Sequence, residues 1–461
     1  MSLQGTGEEW KAMAEAQGLY KPDDALIARA RADIERIRKR DVDLRILTRD
    51  GRPLADTPVE IVHMRGAFPW GDQLWALDRM VRCGEADGDT GRYWKRLFAD
   101  LLNAANALCY WTERDVNDGP KIEDLQGDPQ MRGFAACVDW AAAEGLHVKG
   151  HPLFWSIQKC VPEWVKRYDY ETQMKFAEVR VRNLVARFKG KVRLWDAVNE
   201  PMWEPAFKNL PRRNWPHLDP IPDIADYIEQ VLTWCRQEDP DATFLINDYG
   251  MEQTKGEEGK GPVAADGTVV TAALQRKRFL ALIRELQERG TPPDAIGLQW
   301  HTGGWLDHAA QQAVYDEMAG AGLPIHVTEF WAHTGHLKDK GLPEDLVQEM
   351  QAEYVLNHLT CAFAHPAVEG FFCWGMFNSV VKWNQHSSHS PTPLFHRLKD
   401  LLKGQWMTRL ALRTSGDGRV RFRGFYGDYV LRYPLSAEAQ SGVRFTLGRE
   451  DAMPLALRVA R

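Results

Sequence analysis

Short apolar stretches alternate with longer amphipathic ones through most of this chain. Eight short runs read as strands, near 66–70, 104–111, 146–151, 192–199, 243–248, 295–301, 324–329 and 369–375, and several are apolar on both faces, as buried parallel strands are. Between them lie segments with the helical period, for example 173–188, 224–237, 272–289 and 346–363. Strands and helices in strict alternation predict an α/β fold, a (β/α)8 TIM barrel spanning residues 65–405.

The period changes at both chain ends. Residues 1–40 read as a weakly specified leader and then a helix, with Leu26, Ile27, Ala30, Ile34 and Ile37 on one face. Residues 41–47 alternate, Asp50-Gly51 supplies a turn and 59–62 runs back, which predicts a β-hairpin over 41–64. After Trp406 the stretches 409–413, 419–423, 428–433 and 443–447 alternate again. An isolated hairpin is marginal in water, so residues 406–461 are expected to join it in a small accessory β-domain built from both chain ends.

Polar residues fall at corresponding places in the barrel strands. The apolar run 192–198 ends on Asn199-Glu200 before Pro201, and the aliphatic run 324–328 ends on Glu329. His151, Asn247, Asp248, Gln299, His301 and Trp374 close other strands, and in such barrels the C-terminal face carries the active site. Two carboxylates facing each other across a barrel mouth suit acid/base or nucleophilic work on a glycosidic bond. Asn199 is then placed to bond a sugar 2-hydroxyl, and His301 to bond Glu329 and set its charge state.

Composition narrows the class. The 461 residues are 44% hydrophobic and 26% charged, with no run long enough to span a membrane. A net charge of −6 with both signs interspersed makes no case for nucleic acid or an anionic membrane as partner. Seven scattered cysteines form no Cys-x-x-Cys pair, which argues against a disulfide framework or a zinc site. No cofactor motif is present, and His386 and His389 are spaced like loop ligands but lack a carboxylate cluster, so neither cofactor nor metal is expected. The first residues have no basic or apolar signal region, which leaves the compartment open between cytoplasm and an exported form that has lost its signal. Eighteen tryptophans serve either a Trp-rich core or stacking on sugar faces. The Gly- and charge-rich connection 252–270 is either a flap over the cleft or a solvated insertion.

The motifs WDAVNEP, HVTEF, GLQWH, NDYG and GHPLFW together resemble glycoside hydrolase family 10, the endo-β-1,4-xylanases, and RKRDVDLRI, FPWG and FRGFYGDY resemble its plant-type branch, over roughly residues 32–433. That resemblance implies a retaining hydrolase acting on xylan or a decorated xylan, with polysaccharide or oligosaccharide as partner. It implies Glu200 as acid/base and Glu329 as nucleophile. Asn106, His151, Trp155, Asn199, Gln299, His301 and Trp374 would then contact substrate, with Trp383 as a lid or platform and Asn247 and Asp248 as supports. Three positions depart from the family pattern: Ala105 and Cys109 stand where Glu and Lys are usual on the second strand, and Ser156 stands where His is usual. Phe330-Trp331 likewise replaces Leu-Asp. The glycone side is therefore expected to be altered, which leaves open another β-glycan as substrate, or a non-catalytic glycan-binding barrel.

Overall fold

The computed structural model describes residues 19–111, 129–157, 160–203, 218–252, 261–264, 266–302, 304–382, 390–436 and 439–460. The leader to residue 18, Trp383, His386, His389 and residues 253–260 and 265 of the 252–270 connection lie outside the described residues.

Helix α1 (Asp24–Ile37) begins where the Asp23 carboxylate accepts the Leu26 amide at 2.9 Å, and it buries Leu26, Ile27, Ala30 and Ile34. It leads into β1 (Lys39–Leu47) and β2 (Pro58–Gly66). The barrel follows as β3 (Trp70–Gln73), β4 (Ala104–Leu108), β5 (His147–His151), β6 (Leu194–Asn199), β7 (Thr243–Asp248), β8 (Ala295–Leu298), β9 (Ile325–Phe330) and β10 (Val368–Cys373). These strands close in that order, β10 pairing back onto β3, as the alternation predicts. Helices fill the crossovers, among them α2 (Trp75–Arg82), α3 (Asp89–Leu101), α4 (Pro129–Ala143), α5 (Tyr170–Phe188), α6 (Ile221–Glu238), α7 (Ala272–Glu288), α8 (His308–Met318) and α9 (Glu344–Ala364). Three of them start at a capping side chain that accepts a backbone amide: Asp169 for α5, Thr271 for α7 and Asp307 for α8.

Register fixes which residues look into the barrel. Asn106 pairs with Lys149 and Leu108 with His151, so these four share the inward face in successive layers. Close packing sets some residue types: a Cβ on Gly150 would collide with the Trp195 ring on the next strand. Lys149 and Asp196 are both fully buried and pair at 2.6 Å inside the barrel.

The chain ends behave differently from expectation. β1 and β2 do not form a hairpin with each other. Beyond the barrel strands, β11 (Val381–Lys382) and β12 (Ser390–Pro391) pair with each other; β1 is the middle strand of a three-stranded sheet with β14 (Arg419–Phe425) and β17 (Leu455–Arg458), and β2 enters a second sheet, ordered β13 (Arg409–Arg413), β2, β15 (Gly427–Pro434), β16 (Gln440–Leu447). The connection after Asp50-Gly51 carries the chain from one sheet to the other, and Val42, Leu44, Ile46, Ile61, Val420 and Leu431 fill the space between the two. This sandwich seals the N-terminal end of the barrel. Trp406 stacks on Trp70 with ring centroids 4.9 Å apart, Arg65 bonds Gly145 O, and Asn103 before β4 ties Gly66 O and Phe68 O. The opposite, C-terminal end is not covered by the sandwich.

Candidate active site

The C-terminal end of the barrel holds a cavity of about 440 Å³ whose lining includes His151, Trp155, Asn199, Glu200, Gln299, His301, Glu329 and Trp374. Eight residues singled out in the sequence thus converge on one site.

β6 and β7 run out together at its floor. Asn247 donates through Nδ2 to Asn199 Oδ1 at 2.8 Å and to Glu329 Oε1 at 2.9 Å, while Thr328 Oγ1 donates to Asn247 Oδ1. Gln299 donates through Nε2 to Glu200 Oε1 at 3.0 Å and to Asn199 Oδ1 at 3.3 Å. One hydrogen-bonded chain therefore joins the carboxylates: Glu329, Asn247, Asn199, Gln299, Glu200. Because the Asn199 oxygen is taken up twice, the group it offers the cavity is a donor.

The two carboxylates differ in surroundings. Glu329 is 4% exposed. Burial alone would raise its pKa, but the 3.0 Å bond to His301 Nε2 and the nearby His151 and Lys149 charges outweigh it and hold Glu329 below the ordinary carboxylate range. His301 moves the opposite way: burial lowers it, yet the bond and charge of Glu329 prevail and raise it. Glu200 sits at the half-exposed strand end and accepts the Trp155 Nε1 proton on Oε2 at 2.9 Å.

Backbone strain falls at the ends of β6 and β8, and a third left-handed non-glycine residue, Asp56, lies in the connection between β1 and β2. Glu200 and Trp300 are non-glycine residues with φ of +55° and +64°, a conformation costing on the order of 1–3 kcal/mol each. Each is held by neighbours. Glu200 N donates to Asn247 O at 2.7 Å, and the Glu252 carboxylate accepts Trp300 N at 2.8 Å. The left-handed Trp300 lets its neighbours Gln299 and His301 reach different carboxylates. Asp248, whose pKa burial drives well above the usual value, accepts Met202 N and Tyr249 N and fixes the turn beyond Glu200.

Asn106 is placed elsewhere than expected. It is fully buried one layer below Leu108 and lines no part of the cavity, because inward positions on β4 alternate and only Leu108 and Tyr110 reach the mouth. Cys109, which stands where the family pattern has Lys, does not line the cavity either. Its thiol turns out of the barrel, 3.4 Å from Pro152 O, beside the buried Arg180 guanidinium, which bonds Cys109 O and Leu153 O. Trp383 falls outside the described residues.

Several lining residues were not picked out from sequence: Trp75, Asp78 and Arg82 on α2, Tyr110 after β4, and Tyr249 after β7. Tyr249 belongs to the NDYG run and was within reach; the α2 residues look like an ordinary helix face. Asp72, fully buried on β3, was also overlooked; it accepts Gly375 N and Phe377 N and so fixes the loop that carries Trp374. Among the described residues no group of three or more His, Cys, Asp or Glu is arranged to hold a metal, and no helix is long and apolar enough to cross a membrane.

Comparison with known proteins agrees with this geometry. The anti-sigma-I factor RsgI6 of Acetivibrio thermocellus is 24% identical over 429 residues, covering 92% of this chain and 48% of that protein. Endo-1,4-beta-xylanase 2 of Arabidopsis thaliana is 24% identical over 427 residues, covering 92% of this chain and 35% of that protein. The chain thus spans about half the length of the first relative and about a third of the second. Xylanase 10B from Thermotoga petrophila, solved with xylobiose, shares the fold with a TM-score of 0.52 at 20% identity, covering 74% of this chain and 95% of that one. Residues 119–265 and 266–399, well over half of the sequence, match the model of glycosyl hydrolase family 10, and the chain belongs to that family.

Proposed function

We propose that the chain is a retaining glycoside hydrolase that cleaves β-1,4-linked xylan, plain or decorated, through a covalent glycosyl-enzyme intermediate. The observation that carries this reading is the pair of unlike carboxylates joined through Asn247, Asn199 and Gln299. Glu329, kept ionised by His301, attacks the anomeric carbon while Glu200 gives its proton to the leaving oxygen. In the second half Glu200 takes a proton from water, which attacks the same carbon and frees Glu329. The donors on Glu200, Trp155 Nε1 and Gln299 Nε2, suit the ionised form that this second half needs. The Asn199 amide bonds the 2-hydroxyl, and Trp374, edge-on to His151 with centroids 5.3 Å apart, walls the sugar site. The xylanase names carried by several relatives support xylan as the polymer.

The test is a product profile. Wild type and Glu200→Ala are incubated with unsubstituted xylan, glucuronoxylan, β-glucan and β-mannan, and early products are read by proton NMR and mass. Glu200-dependent xylo-oligosaccharides released first as the β-anomer are expected. Release from another polymer alone overturns the substrate, an α-anomer first overturns retention, and silence on all polymers overturns the enzyme.

A further inference from the structure

The sequence-wide charge of −6 hides a segregation that the fold reveals. Residues 39–66 and 407–461, the stretches that contain the sandwich strands, carry 16 basic against 10 acidic residues, a net of +6, whereas the rest of the chain carries 42 against 54, a net of −12. The type of cation is segregated as well. The sandwich segments hold 15 Arg and 1 Lys, and the remainder 23 Arg and 19 Lys, so the preference is not a habit of the whole sequence.

The three-stranded sheet shows where these arginines go. On β1 the buried positions are Val42, Leu44 and Ile46, which turns Asp41, Asp43 and Arg45 outward; on β14 the outward positions are Arg419, Arg421 and Arg423, and on β17 Ala456 and Arg458. Five guanidinium groups and two carboxylates therefore share one open face. Asp43 serves both Arg419 and Arg421, Asp417 in the turn before β14 gives Arg419 a second partner, Asp41 serves Arg423, and Arg45 and Arg458 make no ion pair among the described residues. Arg45 stands directly opposite Arg419 in the ladder. Like charges in that position work against the sheet, so folding does not account for them.

We infer that this face is a docking surface for a carboxylate-bearing polysaccharide, a β-glycan with uronate substituents. Arginine in place of lysine fits planar, two-pronged recognition of carboxylates. Successive outward residues on a strand lie about 6.6–6.8 Å apart and neighbouring strands about 4.8 Å, a grid that meets sparse charges on an extended polymer. Duplex nucleic acid, with one phosphate per about 1.7 Å of axis, would press on Asp41 and Asp43, and the face offers no aromatic ring for stacking bases. The surface lies at the closed end of the barrel, opposite the cleft, so it anchors the polymer instead of feeding the bond to be cut. The choice of polymer rests on the proposed reading of the cleft; the anionic docking face does not.

The experiment uses the full chain carrying Glu329→Gln, with and without Arg45→Gln, Arg421→Gln and Arg458→Gln together. All three changes are on exposed positions outside the cleft, and an unchanged melting temperature verifies the fold. Binding is read by affinity electrophoresis through glucuronoxylan and through the same polymer with its carboxyl groups reduced. On the order of tenfold weaker binding to glucuronoxylan in the triple variant, screened away by salt and absent with the reduced polymer, is expected. Equal binding of variant and parent, or a loss that persists on the reduced polymer, overturns the inference. Arginine-dependent retention on duplex DNA or on phosphatidylserine vesicles, without retention on glucuronoxylan, overturns it in favour of those partners. Because binding and not turnover is read, and variant and parent share one silenced cleft, failure of xylan hydrolysis leaves this result standing, and the reverse also holds.

Discussion

The two ends of the barrel are built from the same eight strands and put polar residues to opposite uses. At the C-terminal end they point inward and are shared: one chain of amides joins Glu329 to Glu200, and two left-handed residues are held in place by buried acceptors. At the N-terminal end Trp70, Trp406 and Phe363 pack under the sandwich, the buried Arg38 guanidinium is taken up by the Phe363, His365 and Val368 carbonyls, and the sandwich's other charges lie mostly on outward strand positions. Among the described residues two of the three left-handed non-glycine residues lie at the mouth with the unequal carboxylates, the third being Asp56 in the sandwich connection, and the closed end supplies the stability that tolerates the strained mouth. Changes at the mouth should therefore cost turnover with little loss of stability, and changes in the sandwich core the reverse.

The sharpest division comes from Glu329→Ala. Removing the carboxylate proposed as nucleophile is expected to lower kcat/KM on xylan by about 10⁴-fold or more, with the melting temperature moved by no more than a few degrees. Turnover at a wild-type rate would take Glu329 out of the nucleophile role and blur the contrast between the ends. Glu200→Gln should lower hydrolysis of xylan by about 10²–10⁴-fold, with a far smaller loss in the first step on an aryl glycoside whose leaving group needs no proton. A uniform loss on both substrates would mean that Glu200 holds the site in shape and does not transfer the proton.

From the other end, Leu44→Ala empties a fully buried position in the sandwich core and should cost about 2–5 kcal/mol of stability, measured by denaturant unfolding. The activity of the molecules that remain folded should stay at wild type. Cys109→Lys tests the boundary between the two regimes. The position is 4% exposed and lies beside Arg180, so a second buried cation should cost on the order of 3 kcal/mol and add no activity on unsubstituted xylan. A gain in activity would mean that the β4 end turns its side chains the other way when substrate is bound.

Much of the mouth could be read from sequence because it is written locally. An apolar run of five or six residues that ends on Asn-Glu announces both the strand and the side chain it presents, which is why Asn199, Glu200, Gln299, His301 and Glu329 arrived together. Asn106 and Cys109 show the limit of that kind of reading. Which way a side chain points depends on strand parity against the neighbour, fixed only by the pairing of Asn106 with Lys149 and Leu108 with His151. The sandwich was legible as strands and not as sheets, since β1 meets β14 across more than 370 residues, and Asp50-Gly51 does make a tight antiparallel turn, bridging Leu47 to Pro53, beyond which β1 and β2 part into different sheets. For the same reason the arginine face disappeared into a balanced total charge.

The smallest predicted effect is also the most specific to the mouth. Glu329 has a folded pKa below its ordinary 4.5, so its contribution to stability is present above that value and is lost as pH falls through the lowered one. His301 is raised above its ordinary 6.5, so its contribution is present below 6.5 and is lost as pH rises through the raised value. Both hold between about 4.5 and 6.5, where a protonated His301 keeps the nucleophile ionised. His301→Ala removes the 3.0 Å bond and its charge together, leaving burial, the largest influence on Glu329, less opposed. The Glu329 pKa should climb, and the acidic limb of kcat/KM should move to higher pH by about one unit, a loss near tenfold at the acid edge and much less on the plateau. A limb that stays in place while the plateau falls would mean that His301 acts on the sugar directly, and that His151 with the Lys149–Asp196 pair behind it sets the charge of Glu329 from inside the barrel.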